Sequence, residues 1–97
     1  MKIRIPSVVQ REVRDAAEYY EAEEPGLGDR FWQEFDSQVR WIALHALQPR
    51  LRPPGYRRVN FPVFSFYVAY VIREDAAVLL AVAHGARQPE YWIDRMA

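Results

Sequence analysis

One histidine, two arginines, a tyrosine and a tryptophan fall between His84 and Arg95, close behind the apolar run Ala77 to Ala83. Imidazole is the side chain whose ordinary titration lies nearest neutral pH, so His84 suits a general acid or base. The planar fork of Arg87 suits carboxylate or phosphate. Tyr91 can donate a proton or stack on a base, and Trp92 can stack. Arg57 and Arg58 add two guanidiniums upstream, on opposite sides of a strand, so at most one faces any given site. Loops at the exit of a strand are where a rigid scaffold presents such groups.

Each candidate also has a structural reading. His84, which alternates with Val78, Leu80 and Val82, can cap that face by bonding to backbone. Arg87 and Arg95 can pair with Asp94, Glu90 or an acidic helix. Tyr91 and Trp92 can anchor the C-terminal end over the core. His45 sits near a helix end, where a cation is favoured by the dipole, and reads as structural.

The elements that place these groups follow from periodicity. Lys2 to Ile5 is a short strand stopped by Pro6. Ser7 and Gln10 have the spacing of a capping box. Val9, Val13, Ala16, Ala17 and Tyr20 recur at helical spacing behind them, with Glu12, Asp15, Glu18 and Glu21 largely on the other faces. This predicts a helix over 8–23. Pro25-Gly26-Leu27-Gly28 breaks it. A second helix restarts near Leu27 or Asp29, carries the stripe Phe31, Phe35, Val39, Ile42, Ala43 and Ala46, and ends before Pro49. So short a connection makes the pair an antiparallel hairpin.

From Tyr56 the period becomes two. Tyr56 to Phe61 is one strand, with Pro62 at its end. The next is long. Phe64, Phe66, Val68, Tyr70 and Ile72 share one face; Ser65, Tyr67, Ala69 and Val71 share the other. Arg73 to Ala76 turns the chain into Ala77 to Ala83, apolar on both faces and therefore central. A short turn or helix follows from Pro89. The order β-α-α-β-β-β predicts an α+β domain over 1–97, an antiparallel sheet with the helical hairpin packed on one face.

Composition narrows the function classes. The 97 residues are 51% hydrophobic and 14% aromatic, contain no cysteine, and have a formal net charge of zero. Disulfides and thiolate metal sites are excluded. No run has the length of a membrane span and the N-terminus lacks a signal-peptide core, so a cytoplasmic protein without a membrane role is expected. A neutral chain does not draw nucleic acid strongly, and no sequence-specific DNA binding is expected. Residues 1–47 hold six basic and nine acidic side chains, and residues 48–97 hold seven and four. The basic excess lies on the half that carries the candidate site.

Several segments, in order, resemble the RelE/ParE superfamily of toxins from type II toxin–antitoxin pairs. Ala17-Glu18-Tyr19-Tyr20-Glu21 resembles the end of the family's first helix. Pro25-Gly26-Leu27-Gly28 with Arg30-Phe31 resembles its hairpin turn. Arg57-Arg58-Val59 and Phe61-Pro62 resemble the strand after the loop. Val82-Ala83-His84 with Arg87, Pro89, Tyr91-Trp92 and Arg95 resembles the C-terminal signature.

The resemblance implies a toxin neutralised by a cognate antitoxin and needing no metal or cofactor. Its partner would occupy the space between hairpin and sheet, the hairpin face, or the strand edge at Tyr56 to Phe61. Two activities occur in the superfamily: metal-free cleavage of mRNA on the ribosome, and poisoning of DNA gyrase. Cleavage would fall to His84, Arg87 and Tyr91, whereas contact with a partner would use Arg57, Arg58, Trp92 and Arg95. RelE-like nucleases commonly carry arginines at positions that align with Ser65 and near Gly85. Neither serine nor glycine can stabilise a phosphorane by charge. This favours ParE-like action on gyrase over a ribosome-dependent mRNA interferase. A non-toxic relative that keeps antitoxin binding is the third alternative.

Overall fold

The computed structural model describes residues 1–97. The chain runs β1 (Lys2–Arg4), α1 (Ser7–Glu23), α2 (Leu27–His45), β2 (Arg57–Asn60), β3 (Phe66–Arg73), β4 (Ala76–His84) and a C-terminal 3-10 helix (Ile93–Met96). The expected element order holds, and the expected C-terminal helix is confined to this last turn.

The start of α1 differs from the capping-box expectation. Ser7 is already helical and Pro6 is the cap residue, with no side-chain cap bond. The Pro6 carbonyl instead accepts from the N–H groups of Val9 and Gln10, while the Gln10 amide donates to the Ile5 carbonyl at 2.9 Å. The fixed φ of proline suits this entry. Val9, Val13 and Ala17 form the buried stripe.

The hairpin turn uses two glycines for different reasons. Gly26 has φ 97°, a conformation without steric cost only for glycine. Gly28 is buried where the helices touch, and a Cβ there would stand 2.8 Å from the Ala17 carbonyl oxygen. The Glu21 carboxylate ties the turn by accepting from the N–H groups of Gly26 and Gly28. On α2, Phe31, Phe35 and Ile42 are buried. The helix ends at His45, short of Pro49. The Gln48 N–H turns back to the His45 carbonyl at 2.9 Å, and the buried Tyr70 hydroxyl donates to the Ala46 carbonyl at 2.7 Å.

The sheet order is β1-β4-β3-β2. Strands β2, β3 and β4 are antiparallel, as expected, but β1 adds parallel to β4. The sheet is therefore mixed, because the intervening hairpin, β2 and β3 return the chain in β1's own direction. Glu74 and Asp75 both have positive φ, the geometry of a two-residue turn that matches sheet twist. Strand β3 begins at Phe66 rather than Phe64. The Phe61 N–H donates to the Phe66 carbonyl and the Phe66 N–H to the Phe64 carbonyl, which closes residues 62–65 into a bend. Phe64 still reaches the core, with its ring 5.1 Å from that of Phe31.

A bulge changes the phase of β4. Ala69 pairs with Ala81 and Tyr70 with Leu79, so Leu80 is the extra residue. Ala77, Leu79 and Val82 join the helix-side core, whereas Leu80, Ala81 and Ala83 pack on the opposite face. The simple alternation expected from Val78 through Leu80 and Val82 to His84 is therefore broken, as bulges do. His84 shares the face of Val82 but not that of Leu80.

The second sheet face is also buried. Trp92 from the C-terminal segment is 1% exposed and packs with Tyr56, Tyr67, Ala69 and Leu80. Its indole N–H donates to the Tyr67 hydroxyl at 3.0 Å. The C-terminal segment thus covers the side that the hairpin leaves open, and both central strands are sandwiched.

Gly28→Ala forces a methyl group against the Ala17 backbone carbonyl as well as against the Glu21 side chain. The expected loss is about 1–3 kcal/mol of unfolding free energy, read as a lowered urea midpoint at unchanged m-value.

Candidate functional site

Strand β1 stops opposite Val78. Beyond it, two side chains bond to the backbone of β4. The Val82 N–H donates to Glu12 Oε1 at 3.0 Å, and the Leu80 carbonyl accepts from Arg95 Nη1 at 2.9 Å. Glu12 Oε2 accepts from the Tyr91 hydroxyl at 2.6 Å and from Arg95 Nη1 at 3.1 Å. One carboxylate on α1 therefore joins β4 to the C-terminal segment. Glu12 was expected largely on the outer faces of α1, but its side chain is only 15% exposed. Its place directly before Val13 on the apolar stripe was the available signal.

This clasp builds a cleft of about 280 Å³, lined by Glu12, Asp15, Phe66, His84, Arg87 and Tyr91 among others. Burial first, and then the bond to Glu12, push the Tyr91 hydroxyl's pKa well above the ordinary phenol range. The Arg87 guanidinium lies over the Tyr91 ring, 3.8 Å from its centroid, and makes no ion pair. His84 is half-buried, edge-on to Phe66 with centroids 5.1 Å apart. Its Nδ1 accepts from the Ala86 N–H at 3.0 Å, which assigns the proton of the neutral ring to Nε2. No group of three or more His, Asp or Glu side chains is placed to hold a metal ion.

The structure brings His84, Arg87 and Tyr91 to one cleft, with Arg95 behind them as partner of Glu12. It places the other candidates elsewhere. Trp92 is turned into the second core. Arg57 Nε donates to the Pro49 carbonyl at 2.9 Å. Arg58 lies over the Tyr67 ring at 3.9 Å and donates to Asn60 Oδ1. It lines a separate depression with Phe64, Ser65, Tyr67 and Gly85. Arg57 and Arg58 do take opposite faces. The space between hairpin and sheet, one of the expected docking places, is filled by the helix-side core. The outer hairpin face and the β2 edge stay open to a partner.

A family model described as "ParE toxin of type II toxin-antitoxin system, parDE" matches residues 3–89. The chain belongs to the ParE toxin family. It is 31% identical over 91 residues to Toxin ParE2 of Mycobacterium tuberculosis, with 91% of this chain and 85% of that protein covered, in both strain CDC 1551 / Oshkosh and strain ATCC 25618 / H37Rv. Its fold matches the solved chromosomal ParDE system from P. aeruginosa with a TM-score of 0.77 at 17% identity, covering 87% of this chain and 95% of the other. Membership makes this ParE chain the toxin of a type II pair and implies an antitoxin partner. No helix is long and apolar enough to cross a membrane.

Removing the Glu12 carboxylate leaves the Val82 N–H, the Tyr91 hydroxyl and Arg95 without their acceptor. Glu12→Ala is expected to cost about 2–3 kcal/mol in urea unfolding, with faster amide exchange in residues 85–97.

The tyrosines give a pH dependence. Burial pushes Tyr70 up to about 12, and Tyr91 is also raised from an ordinary value of 10.0. Between the unfolded and folded values the native state binds more protons, so stability falls as pH rises. This contribution is complete below pH 10.0 and is lost on going through the folded values. Tyr91→Phe is expected to flatten the alkaline limb of a plot of unfolding free energy against pH.

Proposed function

We propose that this toxin arrests growth by protein–protein contact with DNA gyrase, in the cytoplasm, and performs no catalysis of its own. The observation that carries the reading is the contact between Ser65 and Gly85. The Gly85 N–H donates to the Ser65 carbonyl at 2.7 Å. Ser65 aligns with one position, and Gly85 lies near the other, where resemblance to RelE-like nucleases calls for arginines, and the two meet here as a neutral backbone pair. The depression beside them has a single charged side chain, Arg58, which is engaged by Tyr67 and Asn60.

The neighbouring cleft supports the same reading. It is lined by two acids, Glu12 and Asp15, against Arg87 and His84. A scissile phosphate would meet repulsion there, whereas phosphate binding relies on a cationic excess. The Tyr91 hydroxyl is committed to Glu12. Arg87 stacked on Tyr91 makes instead the arginine–aromatic pair that often anchors protein contacts.

Purified toxin is expected to inhibit negative supercoiling by gyrase at micromolar concentration, and full gyrase activity at that concentration would overturn the proposal. Arg87→Ala is expected to weaken inhibition about tenfold or more, the loss of one strong anchor.

The second reading, a ribosome-dependent mRNA interferase, is favoured by one observation: His84, Arg87 and Tyr91 line one cleft. Transcript ends mapped after induction distinguish the two. The gyrase reading expects no new cuts inside translated codons. Cuts that disappear in His84→Gln would establish the nuclease instead.

A further inference from the structure

Along the whole chain one buried side-chain polar atom has no hydrogen-bond partner, and it is Nε of Arg58. Buried N–H groups are nearly always paired, so a lone exception calls for a reason. Arg58 pairs with Ala69 across β2 and β3, on the sheet face that Trp92 covers. Its guanidinium lies over the Tyr67 ring, 3.9 Å from the centroid, and its Nη2 donates to Asn60 Oδ1 at 3.0 Å. These neighbours fix the group but carry no countercharge. Nη1 also lacks an acceptor and is open to solvent. Arg58 enters no salt bridge. Two acids that reach this region are committed elsewhere. Glu90 accepts from the Tyr56 hydroxyl at 2.7 Å. Glu34 accepts from the Val63 N–H and lies 3.6 Å from Arg30 Nε. A half-buried cation with no countercharge is costly until an anion joins it.

The bend after β2 adds donors. Its carbonyls are used: that of Phe64 accepts from the Phe66 N–H, and that of Ser65 from the Gly85 N–H. The N–H groups of Phe64 and Ser65 bond to nothing in the chain, nor does the Ser65 hydroxyl or the Asn60 amide nitrogen. Successive free N–H groups in a tight bend are a setting for anions. Arg58, Asn60, Phe64 and Ser65 line one depression of about 330 Å³ with no acid in its wall, the size of a small-ligand pocket. Phe61 and Val63 make the wall partly apolar, and Val63 is 60% exposed.

An excess of donors selects an oxyanion. A carboxylate has two oxygens, whereas a phosphate monoester has three terminal ones and uses the donors more fully. The apolar wall calls for a flat or apolar body beside the phosphate, as a base provides. One cation can hold a phosphate, but it lacks the further charge that cleavage of a phosphodiester requires.

We infer that the depression at Arg58, Asn60, Phe64 and Ser65 binds a free nucleoside monophosphate, phosphate against the arginine and the bend, base against the apolar wall. The site binds without cleaving. It lies across Phe66 from the Glu12 cleft and does not depend on whether gyrase is the target.

Nuclear magnetic resonance titration of isotope-labelled, full-length toxin with adenosine monophosphate tests it. Shifts are expected at the Phe64 and Ser65 amides and at the Arg58 Nε–H. The nucleotide is expected to bind about tenfold tighter or more than adenosine, inorganic phosphate, glycerol phosphate or glutamate, and to weaken with salt. Arg58→Gln is expected to reduce affinity about tenfold or more. Ser65→Glu supplies the chain's own carboxylate to Arg58 and is expected to block the site to a similar extent. Ser65 is exposed, and circular dichroism checks that both variants fold.

No shift at millimolar nucleotide, shifts centred elsewhere, or full affinity in both variants would overturn the inference. So would adenosine, glycerol phosphate or glutamate binding as tightly as the nucleotide. A trinucleotide phosphorylated at its first residue is expected to bind no tighter than the mononucleotide; a gain of about tenfold or more would replace the free nucleotide with a strand end and overturn it too. Gyrase is absent from these titrations, so failure here is distinct from failure of the supercoiling assay.

Discussion

The tertiary arrangement turns on one carboxylate. Glu12 reaches from the first helix to the exposed edge of the central strand and to two side chains of the C-terminal segment. Three donors converge on its two oxygens: a backbone N–H, a phenol and a guanidinium. Charged acceptors of this kind make bonds roughly twice as strong as neutral ones. Without them the edge of β4 beyond Val78 would present open backbone groups, a template for unwanted pairing. The first strand is only three residues long, and the clasp takes over where it ends. Helix, sheet and C-terminal segment are locked together at the point where the candidate cleft forms.

Much of the fold was legible in the sequence. The hairpin was visible in the spacing of Val9, Val13 and Ala17 against Phe31, Phe35 and Ile42, and in the Pro-Gly-Leu-Gly break. The central place of β4 followed from its unbroken apolar run. Where the reading failed, tertiary contacts had changed a local rule. Ser7 gave way as cap to Pro6, whose φ suits helix entry, and α2 stopped early because its end meets Tyr70 and a tight turn. The parallel pairing of β1 could not be read locally, since it joins residues more than seventy positions apart.

The site was legible in part. His84, Arg87 and Tyr91 lie within eight residues, so their meeting was a local matter. Trp92 follows Tyr91 directly but points the other way, and only the second core shows why. Glu12 was missed because its place beside Val13 on the apolar stripe is the one mark that sets it apart from the other acids of α1. Its role comes from a contact seventy residues away in sequence. Arg57 and Arg58 were assigned to opposite faces by strand alternation, and the structure agrees. Neither reaches the cleft, because β2 lies at the far edge of the sheet from β1.

The single extra residue in the last strand sets a limit on how this chain can vary in length. Ahead of Leu80, losing or gaining one position would interchange the two buried sides of β4, and both cores would receive misplaced side chains. Past Gly85 the polypeptide runs through turns before Trp92 docks, and slack there can be absorbed. Insertions should therefore be tolerated only in the turns ahead of Glu90 and Tyr91, which are held by Tyr56 and Glu12, while the strand itself admits none.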